Sequence, residues 1–148
     1  MGQAGIKKLS SAATSCVLFL GAVSIALAQP KQEQAWAILN SGVADKDAKQ
    51  RVAAVTVLGL IQGDAKAATM AEQALQDPDP DVRKAAAGTL GTLKSKSAIA
   101  SLRNSLKDSD GSVVLAAAKA LVMRGSEQGY SVYYQLVTGQ HKCQDAGE

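Results

Sequence analysis

Residues 77–93 read DPDPDVRKAAAGTLGTL, and their reading decides the fold. Asp79 is a good helix N-cap, Pro80 follows at the first helical position, and Asp81 places negative charge in the first turn. Val82, Ala86, Leu90 and Leu93 then recur at helical spacing and form a single apolar stripe. The same pattern stands 32 residues earlier, where Asp45, Asp47, Arg51, Ala53, Ala54, Leu58 and Gly59 fall on Asp77, Asp79, Arg83, Ala85, Ala86, Leu90 and Gly91. It stands again 31 residues later in Asp108, Asp110, Val113, Ala116, Ala117 and Leu121. A period of this size predicts stacked helical repeats, each unable to bury its apolar face alone.

Each first helix is followed by a turn and a new start, at Gly63-Asp64, Lys94-Ser95 and Gly125-Ser126. Glycine suits a left-handed helix end, and Asp or Ser caps the helix that follows. The spacing therefore predicts helix pairs, A then B, with Asp64, Ser95 and Ser126 opening the B helices. Laid over one another, the B helices place Ala68, Ala71 and Leu75 on Ile99, Leu102 and Leu106, and these on Tyr130, Tyr133 and Val137. Those columns, at i, i+3 and i+7, are expected to be buried. One step back, Trp36, Leu39 and Val43 predict a lone B helix at the N-terminal end. No strand pattern occurs. The core columns are rich in alanine, which buries little area per residue, so modest stability is expected.

The first 28 residues read differently. Lys7 and Lys8 are their only charges, an apolar run extends from Ala12 to Ala28 around CVLFLGAV, and the run ends in Ala26-Leu27-Ala28. This pattern predicts a secretory signal peptide cut before Gln29, and with it a periplasmic or secreted chain; the alternative is an uncleaved membrane anchor. The run is short for a span of about 20 residues. Cys16 lacks the context of a lipoprotein cleavage site. The predicted layout is a signal at 1–28, a capping helix at 29–44, repeats at 45–76, 77–107 and 108–139, and a tail at 140–148 without an apolar stripe.

The chain has 16 Lys+Arg and 13 Asp+Glu, and loss of Lys7 and Lys8 leaves 14 against 13. That near-neutral balance offers no field for nucleic acid or anionic lipid. Only Cys143 would remain of the two cysteines, so no disulfide can form within the mature chain.

The motif Asp-x-x-Val-Arg-x-x-Ala-Ala-x-x-Leu-Gly, carried by Asp79, Val82, Arg83, Ala86, Ala87, Leu90 and Gly91, resembles the HEAT repeat, and most of all the bacterial HEAT_2 or PBS-lyase-like kind. The likeness runs from Trp36 to Thr138. It implies an all-α fold: a short right-handed α-solenoid of antiparallel helix pairs, an armadillo-type superhelix with about three repeats and an N-terminal half repeat. It also implies a ladder between adjacent repeats built from the Asp and Arg positions. Asp47, Arg51, Asp79, Arg83 and Asp110 are therefore read as caps and inter-repeat pairs, with Val114 standing where Asp110 would need an arginine. Val122 likewise replaces the repeat glycine.

Asp77, Asp79 and Asp81, and the run Asp108-Ser-Asp110-Gly111, suggest a calcium loop, which requires Gly at its sixth position and Glu at its twelfth. Those positions hold Val82 and Gly88 in one run, and Val113 and Lys119 in the other. Di-iron HEAT hydroxylases use repeated His-Glu pairs, whereas this chain has a single histidine, His141. Nothing beyond the repeat supports a tetrapyrrole site, and His141 and Cys143 lie in the predicted tail. No catalytic residue, cofactor or metal is expected.

The resemblance instead implies a scaffold that binds a protein through the exposed B-helix face. Its rows are Glu72, Arg103, Tyr134 and Gln73, Asn104, Gln135, with Met70 and Lys107 nearby. The other reading is a stacking module or oligomer subunit associating end to end, with Tyr130, Tyr133 and Val137 buried on assembly.

Overall fold

A computed structural model describes residues 29–93 and 95–140. The predicted signal segment 1–28 with Cys16, the turn residue Lys94, and the tail residues 141–148 with His141 and Cys143 lie outside the described residues. Met1–Ile38 and Leu39–Glu148 form two compact units. Among the described residues there are seven helices and no strand: α1 (Gln29–Val43), α2 (Ala48–Leu58), α3 (Ala65–Ala74), α4 (Pro80–Thr92), α5 (Ala98–Ser105), α6 (Gly111–Met123) and α7 (Glu127–Val137). Residues 29–38 of α1 belong to the first unit, and the rest of the fold lies in the second.

The A helices α2, α4 and α6 start where the aspartates dictate. Asp47 accepts from the Lys49 N–H at 2.9 Å, Asp79 from Asp81 at 2.8 Å, and Asp110 from Ser112 and Val113 at 2.8 and 3.3 Å. Asp64 caps α3 in the same way, accepting from Lys66 and Ala67. Each such cap is worth about 1 kcal/mol. Gly63 and Gly125 make the turns into α3 and α7 with φ of 77° and 72°, backbone that a side chain would strain.

The start of α5 departs from the sequence reading. Ser95 does not cap it; the helix begins at Ala98 with Ser97 at the cap position and no side-chain cap bond. The Ser97 hydroxyl donates to Glu72 Oε1 at 2.6 Å instead. A bond to the neighbouring B helix thus replaces the local one.

In the second unit α4 lies between α2 and α6, and the three A helices form one layer. Val82, Ala86, Leu90 and Leu93 are all buried, as are Leu58 and Leu121 in the same column as Leu90. The A helices approach closely at the repeat glycines. A Cβ on Gly91 would lie 2.9 Å from Ala120 Cβ, and one on Gly59 would lie 3.1 Å from Thr92 Oγ1. Val122 holds the third glycine position, and no A helix follows it among the described residues. Thr89, buried between α2 and α4, donates its hydroxyl to the Val55 carbonyl at 3.1 Å.

The predicted B-helix columns hold on α3, where Ala68, Ala71 and Leu75 are buried, and on α5, where Leu102 is buried and Ile99 and Leu106 are half-buried, but not on α7. A further column, Ala67, Ala98 and Gly129, is buried beside them, and the predicted column Ala71, Leu102 and Tyr133 ends half-buried at Tyr133. Steric fit turns α7. A Cβ on Gly129 would meet Leu121 Cβ at 2.3 Å, so α7 rests on α6 at a distance only glycine allows. Tyr130 and Val137, expected in the core, are consequently 63% and 64% exposed.

Candidate interaction surfaces

Two sets of polar side chains organise the second unit, one between repeats and one facing outward. Between repeats, Arg51 Nε and Nη2 donate to the two carboxylate oxygens of Asp77, both at 2.8 Å. Arg83 meets Asp108 in the same fork at 2.8 and 2.9 Å. The remaining guanidinium nitrogen of each arginine turns back to its own repeat: Arg51 Nη1 donates to the Asp45 and Lys46 carbonyls, and Arg83 Nη1 to those of Asp77 and Pro78. Such bidentate, charge-assisted contacts fix orientation as well as supplying energy.

These rungs correct the expected ladder. The cap carboxylates Asp79 and Asp110 are committed to backbone N–H groups of their own helices, so the arginines take Asp77 and Asp108, two residues before the caps. Each acceptor is itself oriented, Asp77 by the Asp79 N–H and Asp108 by the Asp110 N–H, both at 2.9 Å. The arginine hydrogen bonds hold the Asp77 and Asp108 carboxyls below the usual carboxylate range, against burial, which acts the other way. The same bonds raise Arg51 and Arg83. Asp110 is lowered chiefly by the Ser112 hydroxyl.

A different tie joins the last two repeats. Arg124, at the C-terminus of α6, donates through Nη1 to the Leu93 carbonyl and through Nη2 to the Ser95 carbonyl at 2.6 Å. A cation at carbonyls left open by a helix end is favourable. Sequence reading missed this residue because Arg124 falls on Leu93 and Ile61 in the repeat alignment. Asp77 and Asp108 had a clearer signal: they stand 26 and 25 residues after Arg51 and Arg83.

Facing outward, Gln73, Arg103, Asn104, Lys107 and Tyr134 are exposed, while Glu72 and Gln135 are half-buried. Met70 does not belong with them. It is 8% exposed, because α3 buries a face wide enough to take Ala67, Ala68, Met70 and Ala71 together. Tyr130, Tyr134 and Val137 recur at i, i+4 and i+7 and make an exposed apolar stripe along α7, with Tyr134 itself 54% exposed. Alignment on the small residues Ala67, Ala98 and Gly129 would have placed Tyr130 outside. Beside the second rung, an open groove of about 460 Å³ is lined by Leu75, Gln76, Arg83, Asn104, Ser105, Lys107, Asp108 and Ser109.

The aspartates of the calcium-loop-like runs have other work. Asp79 caps α4, and Asp81 pairs with Lys84 at 3.1 Å. No cluster of three or more His, Cys, Asp or Glu side chains among the described residues is arranged to hold a metal ion. No helix among them is long and apolar enough to cross a membrane.

Residues 68–138 match the family model HEAT_2, described as HEAT repeats. No curated protein matches the chain.

Proposed function

This is a HEAT-repeat chain, and from that premise we propose that it is a non-enzymatic scaffold whose B-helix face holds a protein partner. Repeats of this family generally mediate protein interactions, and fold alone does not name the partner. The reading rests on one observation: Tyr130, Tyr134 and Val137 form an exposed stripe on α7. Tyrosine supplies a large contact area at low entropic cost and is enriched at interface hot spots. Arg103 and Asn104, on the rows of Tyr134 and Gln135, supply the polar rim. The mechanism is presentation of a rigid surface, in which the A-helix layer and its rungs hold the B helices in place while outward side chains set specificity.

We place the scaffold in the exported fraction, on the strength of Lys7, Lys8, the apolar run and Ala26-Leu27-Ala28. Sequencing the N-terminus of the chain from cell envelopes tests this; a mature start at Gln29 supports export, and a start at Met1 removes it.

Affinity capture from a cell-envelope extract tests the surface. The bait is compared with one carrying Arg103→Glu and Tyr134→Ala, both exposed positions. A protein held by the first bait and lost by the second assigns binding to the B-helix face. Equal recovery by both baits refutes that assignment.

A further inference from the structure

The rungs give the second unit a polarity that its first repeat leaves unfinished. Asp77 and Asp108 each receive an arginine from the preceding A helix. Asp45 stands at the same repeat position and is set up in the same way, its Oδ1 accepting the Asp47 N–H at 2.8 Å. Among the described residues no arginine is placed on its carboxylate; Arg51 reaches only its carbonyl. The apolar contact beside it is also open. Thr89 and Ala120 face the preceding A helix at its glycine and are 6% and 2% exposed; Val57 occupies their column on α2 and is 44% exposed. Valine and threonine are nearly the same size, so a helix that fits over Thr89 fits over Val57.

We propose that this N-terminal end of the second unit is a docking site for a helix of another protein that carries arginine and, eight residues later, glycine. That spacing is the one by which Arg51 with Gly59, and Arg83 with Gly91, engage the next repeat. The arginine forks onto the Asp45 carboxylate, and the glycine lets the incoming backbone lie against Val57. Charge complementarity and continuity with the two existing junctions define the occupant. A second copy of this chain does not supply it from its last A helix, because Val114 and Val122 replace the arginine and the glycine. The site is separate from the B-helix face and does not depend on it.

The probe is a fluorescein-labelled peptide of residues 79–93, stapled between positions 84 and 88, which are exposed in α4. Its fluorescence polarisation is titrated with the full chain. The expected result is saturable binding, weakened at least tenfold by Asp45→Asn or Val57→Glu in the chain and by Arg83→Gln in the peptide. Asn at 45 keeps the oxygen that accepts the Asp47 N–H, and Val57 is partly exposed, so circular dichroism should report a folded chain in both variants. Absence of saturation at millimolar chain overturns the proposal. So does binding that ignores Asp45→Asn, or that is lost with Asp108→Asn instead, which would mean that the peptide displaces α4 from its own junction.

Discussion

Val114 and Gly139 stand 25 residues apart, the separation that joins Arg83 to Asp108 in the second rung. Donor and acceptor are thus both missing at the third position, and Val114 is buried instead. The two rungs that do form should therefore behave as coupled units. Arg83→Ala is expected to cost about 2 kcal/mol, between the small worth of exposed pairs and the larger cost of breaking buried ones. Urea denaturation of Arg83→Ala, Asp108→Ala and the double variant should return a coupling energy above about 0.5 kcal/mol. Strict additivity would show that the fork adds nothing to stability.

Acid should weaken the same junctions. The Asp77 and Asp108 carboxyls are lowered in the fold, first by their arginine hydrogen bonds. Their contribution is fully present above the unfolded carboxylate value, about 3.9, and is lost as pH falls through the folded value. Melting temperature should therefore drop on acidification below about pH 5, and the drop should shrink in Asp77→Asn plus Asp108→Asn. An unchanged acid slope in that variant would assign the effect to other groups.

Glycines in these helices divide by what surrounds them. Gly88 has open space where a Cβ would go, so Gly88→Ala should stabilise by about 0.5–1 kcal/mol through helix propensity. Gly91→Ala would press on Ala120, and Gly129→Ala on Leu121 and its backbone, so both should destabilise, by roughly 1–3 kcal/mol as overpacking does. Chemical denaturation of the three variants should give opposite signs for the first and the other two.

Arg124 is expected to hold the turn after α4. Arg124→Gln should speed amide hydrogen exchange around Leu93–Ser97 more than at the α2–α4 junction, since its contacts are the Leu93 and Ser95 carbonyls. Uniform acceleration across the unit would point to a global loss of stability.

The fold was legible because caps and apolar columns act locally. Asp79, Pro80 and the stripe from Val82 to Leu93 carry their meaning within one helix. The phase of α7 was not, since on α3 Ala67 and Ala68 are both buried and the alignment of Tyr130 with either is equally good in sequence. Only the approach of α7 to α6 at Gly129 decides it, and that distance belongs to packing between helices. The outward surface changed at two places for different reasons: α3 buries a wider face that includes Met70, and α7 turns Tyr130 out. Tyr134 and Arg103 kept their exposure because they lie in the middle of the outer face. The ladder was legible as a composition, Asp with Arg, while its partners required knowing that the cap oxygens were already engaged.

Asp77 takes part in both rungs, its carboxylate receiving Arg51 and its carbonyl receiving Arg83. The contacts consequently form a relay through Asp45, Arg51, Asp77, Arg83 and Asp108, in which each arginine grips the loop behind it and the carboxylate ahead. A pull along the stack loads these links in series on one edge, as a seam does. Loss of the loop at Asp77, by a single proteolytic cut, would release two junctions at once, so the array should come apart as one piece and not repeat by repeat.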